Sequence, residues 1–417
     1  MCYACGGGPW LFGDYRSIGN EGLLIIASTI MPSIATGMFF TDLAYFLTNV
    51  QGFSDLFMGS IIMVMGISMV ALSLPLGMVS DYFGRKGMLM LSNAIASISI
   101  MLFAIIVDQS ALIGAAILMG VSEAGWSASG SAFLADKVSD SSRTPAFSLM
   151  SFVGGLAFGI GSFTIPAVIV FEGLGYSNKD AHIILYIAIG MLSLISTLIL
   201  LKVKEERTKK KRSVKELLPR RSKGVLIKYV SAGFLIAFGA GMVVPLMTRW
   251  FNLAYGITDA ISGPIIGISD LLIGLACLTA PALARRMGLI KAIVVTQGIS
   301  TLFMFLTPLS STYIIASVVY TIRAFLMNMA NPLQQSMIMG LVEKEERGAA
   351  SGISSALWRL PNAFSTSIGA WLMGLGLLAM PFFLATVLYV VSILIFWAFF
   401  RNVAFPEEKR DINRNGG

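Results

Sequence analysis

Charge is scarce in this sequence. Only 12% of the 417 residues are charged, whereas 56% are hydrophobic, and the mean hydropathy is +0.80. Soluble domains carry about twice that charged fraction, so the composition excludes an ordinary soluble protein and indicates a chain that lies mainly in a bilayer. A chain of this length has room for about a dozen membrane-spanning helices of about 20 residues each.

Cysteine, histidine and nucleotide-binding motifs are scarce or absent. Three cysteines cannot form a disulfide framework, and one histidine leaves no metal-ligand cluster and no Ser/His/Asp grouping. No Gly-x-x-x-x-Gly-Lys-[Ser/Thr] loop occurs, so we do not expect ATP hydrolysis. We therefore predict a protein that is not an enzyme and that uses no cofactor or metal.

Breaks in the hydrophobic pattern predict twelve membrane spans. In chain order they cover residues 22–48, 55–79, 87–107, 112–135, 145–170, 182–203, 225–251, 260–283, 288–308, 312–341, 347–376 and 379–401. Four prolines fall inside them, Pro166, Pro245, Pro332 and Pro361. We expect these prolines to kink the helices rather than break them, because neighbouring helices can satisfy the freed backbone groups.

The basic residues that give the chain its net charge of +8 are gathered in a few turns. They do not alternate with aromatic residues as a nucleic-acid-binding surface requires, so nucleic acid is not an expected partner. Basic turns instead mark the cytoplasmic side of a membrane protein. The turns on the other side hold only Lys179, so we expect a multi-pass protein of the plasma membrane with both termini in the cytoplasm.

A basic loop divides the chain into two halves of six predicted spans. The expected boundaries are a leader at 1–21, a first bundle at 22–203, a linker at 204–224, a second bundle at 225–401 and a tail at 402–417. Between Lys204 and Lys223 the linker has ten bases and three acids. It is either a simple cytoplasmic anchor or an amphipathic segment that lies on anionic lipid headgroups.

The two halves carry traces of a duplication. A shift of 204 residues pairs Gly37-Met38 with Gly241-Met242, Gly84 with Gly288, and Arg143 with Arg347. The members of each pair lie in equivalent spans or turns of the two halves. This agreement in three separate places favours duplication of a six-helix unit.

The turn between spans 2 and 3 carries the most specific motif in the chain. It reads Gly77-Met78-Val79-Ser80-Asp81-Tyr82-Phe83-Gly84-Arg85-Lys86. Bases are ordinary in a cytoplasmic turn, but a lone acid there is not, so Asp81 needs another explanation. The order Gly-x-x-x-Asp-x-x-Gly-Arg-Lys resembles the loop between helices 2 and 3 of the major facilitator superfamily.

Together with the twelve spans, the repeat and the basic central loop, this motif makes nearly the whole chain resemble a major facilitator superfamily transporter. The resemblance implies an all-α integral membrane protein, with twelve transmembrane helices in two pseudo-symmetric six-helix bundles. It also implies a midplane cavity lined by spans 1, 4, 7 and 10.

The resemblance further implies a conformational gate on the cytoplasmic side. The acid matching Asp81 would face the N-terminus of span 11, just after Arg347, where a carboxylate is favourable. The base matching Arg85 would pair with Asp136 at the end of span 4. Both contacts are expected to join the halves in the outward-facing state. The predicted gate comprises Gly77, Asp81, Gly84, Arg85, Lys86, Asp136 and Arg347.

Six ionisable residues inside the predicted spans are candidate functional groups. They are Asp42 in span 1, Glu123 in span 4, Arg249 in span 7, Asp270 in span 8, Arg323 in span 10 and Arg359 in span 11. A charge at a helix centre costs about 2.5–3.5 kcal/mol on insertion scales, so such a residue normally faces a cavity or a partner. Four of the six fall on the spans that line the cavity in the family.

The three acids, Asp42, Glu123 and Asp270, are the candidates for proton coupling. We favour Asp42, on the first cavity-lining span, whereas Glu123 is the second choice because it could instead neutralise an arginine permanently. The single histidine, His182, begins span 6 and is expected to cap the helix or face water rather than relay protons.

The three arginines, with Thr41 beside Asp42, are the substrate-binding candidates. A pair of guanidinium groups in a low-dielectric cavity, Arg323 and Arg359, favours a carboxylate or phosphate. Three acids could equally balance the three bases and leave the pocket neutral. Arg249 lies near the outer end of span 7, where a structural ion pair is the main alternative.

These inferences favour a monomeric secondary transporter of a small organic solute, driven by protons and embedded among lipids, and we lean to export. Two alternatives stay open. One is proton-coupled uptake of an organic anion. The other is a transporter-like sensor or lipid-handling protein without coupled flux, which would need no titrating carboxylate.

Overall fold

The fold is built from long helices, and the described part of the chain contains no strand. A computed structural model describes residues 18–139, 143–205, 222–342 and 347–402. Most of the predicted leader, linker and tail lies outside these residues. The expectation that the linker forms an amphipathic segment therefore concerns residues that the structure does not describe.

Twelve long helical segments follow one another in these residues, and we keep the span numbers for them. Spans 1 to 6 comprise Gly19–Val50, Asp55–Phe83, Arg85–Ile105, Gln109–Lys137, Arg143–Ser162 with Ala167–Gly173, and Asn178–Lys202. Spans 7 to 12 comprise Lys223–Tyr255, Asp259–Met287, Leu289–Leu309, Tyr313–Leu341, Arg347–Gly374 and Met380–Phe400. Ten of the segments contain a stretch long and apolar enough to cross a bilayer, and spans 8 and 11 are helices of 29 and 28 residues.

Several helices begin before the hydrophobic stretch that predicted them, because a polar side chain caps the first turn. Span 4 starts at Gln109 rather than near residue 112, since Asp108 accepts a hydrogen bond from the Ala111 N–H at 2.9 Å. Ser177 caps span 6 in the same way. A cap satisfies backbone donors that the helix itself cannot, so it extends a helix into a polar segment.

The four prolines behave in two ways. Pro332 and Pro361 lie inside uninterrupted helices, as expected. At Pro166 and Pro245 the α-helix is interrupted instead, so the expectation of kinks is wrong there. Pro166 precedes the short helix Ala167–Gly173, and Pro245 lies in a single 3-10 turn. Proline has no N–H to donate to the preceding turn, so the first turn of a new helix accommodates it at little cost.

The shift of 204 residues that relates the halves in sequence also relates them in backbone conformation. Gly84 and Gly288 each end a helix of 29 residues and begin the next one. Their φ angles are 115° and 82°. Glycine adopts this region without the strain that a Cβ atom would bring, which accounts for the identity of both residues.

Helix packing repeats with the same shift. A Cβ atom at Gly37 in span 1 would overlap the carbonyl oxygen of Phe158 in span 5. A Cβ atom at Gly241 in span 7 would overlap the carbonyl oxygen of Asn362 in span 11. Gly241 lies 204 residues after Gly37, and Asn362 lies 204 residues after Phe158. The two halves therefore contain the same close helix crossing.

The halves meet along two pairs of spans, again related by the shift. Gly59 in span 2 lies against Ala370 in span 11, and Gly263 in span 8 lies against Ile165 at the end of span 5. We call the end of the spans that holds Arg85 the basic face, and the other end the opposite face. Among described side chains, hydrogen bonds and ion pairs between the halves lie from the opposite face to the middle of the spans.

Candidate functional site

A buried polar cluster joins the halves near the opposite face. His182 at the start of span 6 lies 2.9 Å through its Nε2 from Oδ2 of Asp259 at the start of span 8. Tyr186, one turn further along span 6, donates a hydrogen bond of 2.9 Å to Oδ2 of Asp42 in span 1. Ligand atoms of Asp42, His182 and Asp259 lie within 4.8 Å of one another, and each of these residues is at most 2% exposed. We call Asp42, His182 and Asp259 the outer cluster.

The expectation that His182 faces water is wrong. Its imidazole is covered by the rings of Tyr45 and Phe46, whose centroids lie 6.5 and 5.7 Å away. Its Nδ1 lies 2.7 Å from the carbonyl oxygen of Asn178. Because a carbonyl oxygen can only accept, Nδ1 carries a hydrogen, and Nε2 is left to interact with Asp259.

The outer cluster also brings together three groups of the kinds that bind metal ions, a grouping that the sequence did not predict. The 2.9 Å between His182 Nε2 and Asp259 Oδ2 is a hydrogen-bond distance. Two ligand atoms on a tetrahedral zinc ion at its usual bond lengths lie about 3.3 Å apart. The histidine and aspartate are therefore bonded to each other rather than spaced around an ion.

A second contact between the halves lies beside the outer cluster. Arg249 in span 7 donates to both carboxylate oxygens of Asp55 in span 2, at 2.6 and 3.0 Å. Its Nη1 also contacts Asn49, which bonds Asn252 at 2.9 Å. Both charged side chains are largely buried, with 14% and 12% exposed. Arg249, a substrate-binding candidate, thus lies in a bidentate ion pair at the opposite face.

Thr41, the other candidate beside Asp42, takes part in the same junction. Its hydroxyl shares a 2.8 Å hydrogen bond with Ser162 in span 5. Its carbonyl oxygen accepts from the hydroxyl of Thr248 in span 7 at 2.9 Å. Thr41 therefore holds spans 1, 5 and 7 together in this conformation.

Glu123 and Arg359 meet at the middle of the spans, one from each half. Oε2 of Glu123 in span 4 lies 3.7 Å from Nη1 of Arg359 in span 11. The same Nη1 contacts the sulfur of Met69 in span 2 at 2.9 Å. Unlike the outer cluster, this pair is open, since 25% of the glutamate and 46% of the arginine side chain is exposed.

A cavity of about 350 Å³ opens beside Glu123, between spans 1, 3, 4 and 5. Its wall combines aromatic with polar side chains, among them Phe40, Asn93, Ser122, Trp126 and Phe158. An apolar wall with a few polar groups and one acid is the usual make-up of a site for a small organic molecule.

Arg323 and Asp270, in the second half, are not paired with each other. Arg323 is 3% exposed and donates a hydrogen bond of 2.8 Å to the hydroxyl of Tyr389, while its guanidinium lies 5.7 Å from the centre of the Tyr320 ring. Its Nε has no hydrogen-bond partner. Within the described side chains neither residue has an ion pair, so Arg323 depends on aromatic and hydroxyl groups.

Part of the predicted gate is visible at the basic face. Arg85 lies 2.7 Å from Oδ2 of Asp136 and also donates to the carbonyl oxygen of Ala132. Spans 3 and 4 both belong to the first half, so the expectation that this pair joins the halves is wrong. The side chains of Asp81 and Arg347 lie outside those that the structure describes.

Lys86 is held by the start of the linker, a contact that the sequence did not predict. Its Nζ donates to the carbonyl oxygens of Val203 and Leu201, at 2.8 and 3.2 Å. Its backbone N–H donates to Oε1 of Glu205 at 2.9 Å. A carboxylate at the first turn of span 3 is favourable for the helix dipole, so Glu205 ties the linker to the motif. In the sequence Glu205 is one acid in a charged loop, without a local signal for this contact.

Comparison with known proteins shows which fold this arrangement belongs to. The family described as Major Facilitator Superfamily matches residues 25–366. A comparison with curated proteins found no match. Among solved structures, a mutant form of the nucleoside transporter NupG has 15% identity and a TM-score of 0.73, and the match covers 91% of this chain and 100% of that one.

Two other solved structures are similar over most of their length. A bacterial homologue of the human lysosomal transporter Spinster, in an inward-facing and occupied conformation, has 13% identity, a TM-score of 0.75 and coverage of 95% of this chain and 98% of that one. The human organic anion transporter MFSD10 has 15% identity, a TM-score of 0.61 and coverage of 92% and 99%. At these identities the likeness is one of fold, and it confirms the predicted all-α architecture of two six-helix bundles.

Proposed function

Because this chain belongs to the major facilitator superfamily, we propose that it is a monomeric secondary transporter that moves a small organic solute by alternating access, driven by protons. The family and the fold make it a membrane transporter. The class of solute, the use of protons and the direction of transport are what we propose beyond that. Transport by alternating access requires no catalytic step, and we propose no enzymatic activity.

The observation that carries the proposal is the pair of Glu123 and Arg359. Its two members come from different halves, lie at the middle of the spans and are partly exposed. At 3.7 Å the two groups attract each other without a tight hydrogen bond. A proton on Glu123 would cancel that attraction and leave Arg359 free for a solute, so proton and solute binding are linked.

The contacts between the halves support a conformation that is closed at the opposite face. Basic residues such as Arg85 and Lys137 lie at the basic face, which the positive-inside rule places in the cytoplasm, as it does both termini of a plasma-membrane protein. The opposite face is closed by the Arg249–Asp55 pair and the outer cluster. We infer that this conformation is closed to the outside.

Export of an amphiphilic solute is our first choice. Phe40, Trp126 and Phe158 give the cavity beside Glu123 an aromatic part of its wall. Such a wall suits the apolar part of a solute, and Glu123 suits a cationic or protonated part. Uptake of an organic anion is the second candidate, because the exposed guanidinium of Arg359 fits a carboxylate or phosphate.

The test is proton movement in proteoliposomes that contain a pH-sensitive dye. We expect one class among organic anions, cations and neutral amphiphiles to move protons when it is added under a pH gradient. Glu123→Gln should abolish that proton movement, whereas the exposed Asp180→Asn on span 6 should not change it.

Each remaining outcome contradicts a part of the proposal. Solute flux that persists without proton movement would contradict the coupling. Binding without flux, unchanged by Glu123→Gln, would favour the sensor or lipid-handling alternative. A proton flux direction opposite to the solute would support export, and the same direction would support uptake.

A further inference from the structure

The outer cluster has a fixed hydrogen-bond arrangement that limits where protons can be. His182 Nδ1 carries a hydrogen because it faces the carbonyl oxygen of Asn178. The 2.9 Å contact between Nε2 and Asp259 therefore needs one further proton, either on the imidazole or on the carboxyl group. In both cases the histidine and aspartate together hold one titratable proton and carry no net charge.

Asp42 needs a second proton. Its Oδ2 accepts a hydrogen bond from Tyr186, whereas its Oδ1 is buried and has no partner. A buried carboxylate with an unpaired oxygen and no cation is costly, and a proton removes the charge. The outer cluster is thus neutral when it holds two protons, whichever of its groups carry them.

The charged groups around the outer cluster do not change this count. Arg249 is already paired with Asp55. Glu172, at the end of span 5, accepts from the side chain of Asn178 at 2.8 Å in an exposed position. Tyr45 and Tyr186 are neutral hydroxyl groups under ordinary conditions. Among the described side chains, no cation remains to balance an ionised Asp42.

We propose that Asp42, His182 and Asp259 form a proton-binding site that keeps the opposite face closed while it holds two protons, and that opening of this face releases both. The site spans the halves, because Asp42 and His182 belong to the first and Asp259 to the second. This inference rests on the proposed function only in assuming that the halves separate at this face.

Separation changes the environment of every member of the site. Opening breaks the bond between His182 and Asp259 and admits water to all three groups. In water at about pH 7.5–8.5, two aspartates and a histidine are all deprotonated. The closed state therefore holds two protons more than the open state, so closing is favoured by acid and opening by alkali.

Removing acids one at a time gives a graded result. In wild type, two protons leave on opening, so the open-to-closed ratio should rise about 100-fold per pH unit near pH 8. Asp259→Asn leaves one titratable proton shared by His182 and Asp42, and the rise should be about tenfold. Asp42→Asn with Asp259→Asn leaves a neutral imidazole between two amides, and the ratio should not change.

The experiment measures the distance between spin labels across the opposite face of the purified protein. Labels are placed at Val107, in the loop after span 3, and at Leu309, the exposed last residue of span 9. The native cysteines are replaced by serine, and double electron–electron resonance at several pH values gives the open fraction. Asp180→Asn, on the same face but exposed, should keep the wild-type response.

Several results would overturn the inference. One is a distance between the spin labels of the wild-type protein that does not depend on pH. Another is an open-to-closed ratio in the double variant that rises with pH as steeply as in wild type. If the double variant does not elute as a single species, Asp42→Asn alone is measured instead. Its open-to-closed ratio should rise about tenfold per pH unit. A rise as steep as that of wild type would contradict the proposed site. A response that a chelator abolishes would assign the cluster to a metal ion instead.

The measurement is independent of the transport assay. No solute is added, so a protein that proves not to couple flux to protons can still show the graded response. Failure of the proposed function and failure of this site would therefore be seen in different experiments.

Discussion

Asp55 and Asp259 lie 204 residues apart, each as the first residue of a span, and each binds a base in the other half of the molecule. The acids are repeated, but their partners are not. Arg249 occupies the position equivalent to Tyr45, and His182 that equivalent to Thr386. The opposite face is thus closed by an arginine–carboxylate pair and by a pair that contains an imidazole. Between about pH 7.5 and 8.5 we expect pH to act on only the second pair.

The Arg249–Asp55 pair should contribute equally to closure throughout the range of about pH 7.5–8.5. Arg249→Gln removes two hydrogen bonds to a carboxylate, each worth about 1.5–3 kcal/mol when the partner is charged. We expect the open-to-closed ratio, measured with labels at Val107 and Leu309, to rise at least about tenfold without a change in its pH slope.

The matched control for this prediction is Asp108→Asn. Asp108 caps span 4 at the same face but binds its own half. It should leave the ratio unchanged. A changed pH slope in Arg249→Gln would mean that the two pairs are not independent, because distant sites contribute additively only when they share no partner.

The sequence predicted the spans and the positions of six ionisable residues inside them, because both are local properties of an apolar chain. It did not predict the outer cluster. Asp259 and His182 stand at helix starts, where an acid or a histidine is ordinary, and nothing local says that spans 6 and 8 meet. The repeat was the one signal in the sequence that singled out Asp259. The shift that aligns Gly84 with Gly288 also aligns Asp55 with Asp259.

The roles proposed for the buried charges could not be separated by sequence alone. Asp42 and Glu123 look alike as lone acids in apolar spans. In the structure Asp42 is fully buried and accepts a hydrogen bond from Tyr186, whereas Glu123 borders a cavity. That difference depends on which neighbouring spans cover each residue. It is a property of packing and not of the local pattern, so both remain candidates for proton coupling.

The two glycines at the repeated helix crossing should be equally sensitive to substitution. Gly37→Ala and Gly241→Ala each place a methyl group on a backbone carbonyl oxygen of the neighbouring span, Phe158 in one case and Asn362 in the other. Overpacking of this kind costs about 1–3 kcal/mol or more. We expect both variants to lower the temperature of unfolding of the purified protein.

Glycines with free space provide the control. Gly233 in span 7 has no neighbouring atom within 4 Å of a Cβ position. Gly233→Ala should leave stability unchanged or raise it by about 0.5–1 kcal/mol, because alanine favours a helix. A loss of stability in Gly233→Ala as large as that in Gly241→Ala would contradict the assignment of the close crossing.

Arg323 should matter for stability through Tyr389. The hydroxyl of Tyr389 accepts from Nη2 of Arg323 at 2.8 Å, in a region where both residues are buried. Tyr389→Phe removes the one hydrogen bond that the structure gives this guanidinium, at a cost of about 1.5–3 kcal/mol. We expect a lower unfolding temperature in Tyr389→Phe, whereas Tyr176→Phe, at an exposed tyrosine, should match wild type.

Arg359, rather than Arg323, should decide the response to anions. Arg359 is exposed at the middle of the spans, and its acidic partner is 3.7 Å away, so an incoming carboxylate or phosphate can replace Glu123. Arg323 is buried and offers no such access.

If the solute is an anion, Arg359→Gln should abolish the rise in unfolding temperature that the anion causes. Arg401→Gln, at an exposed arginine at the end of span 12, should preserve that rise. Glu123→Gln should strengthen anion binding, because it removes the competing carboxylate. An anion response that survives in Arg359→Gln but is lost in Arg323→Ala would place the binding site at Arg323 in span 10. It would contradict the role given to the pair at the middle of the spans.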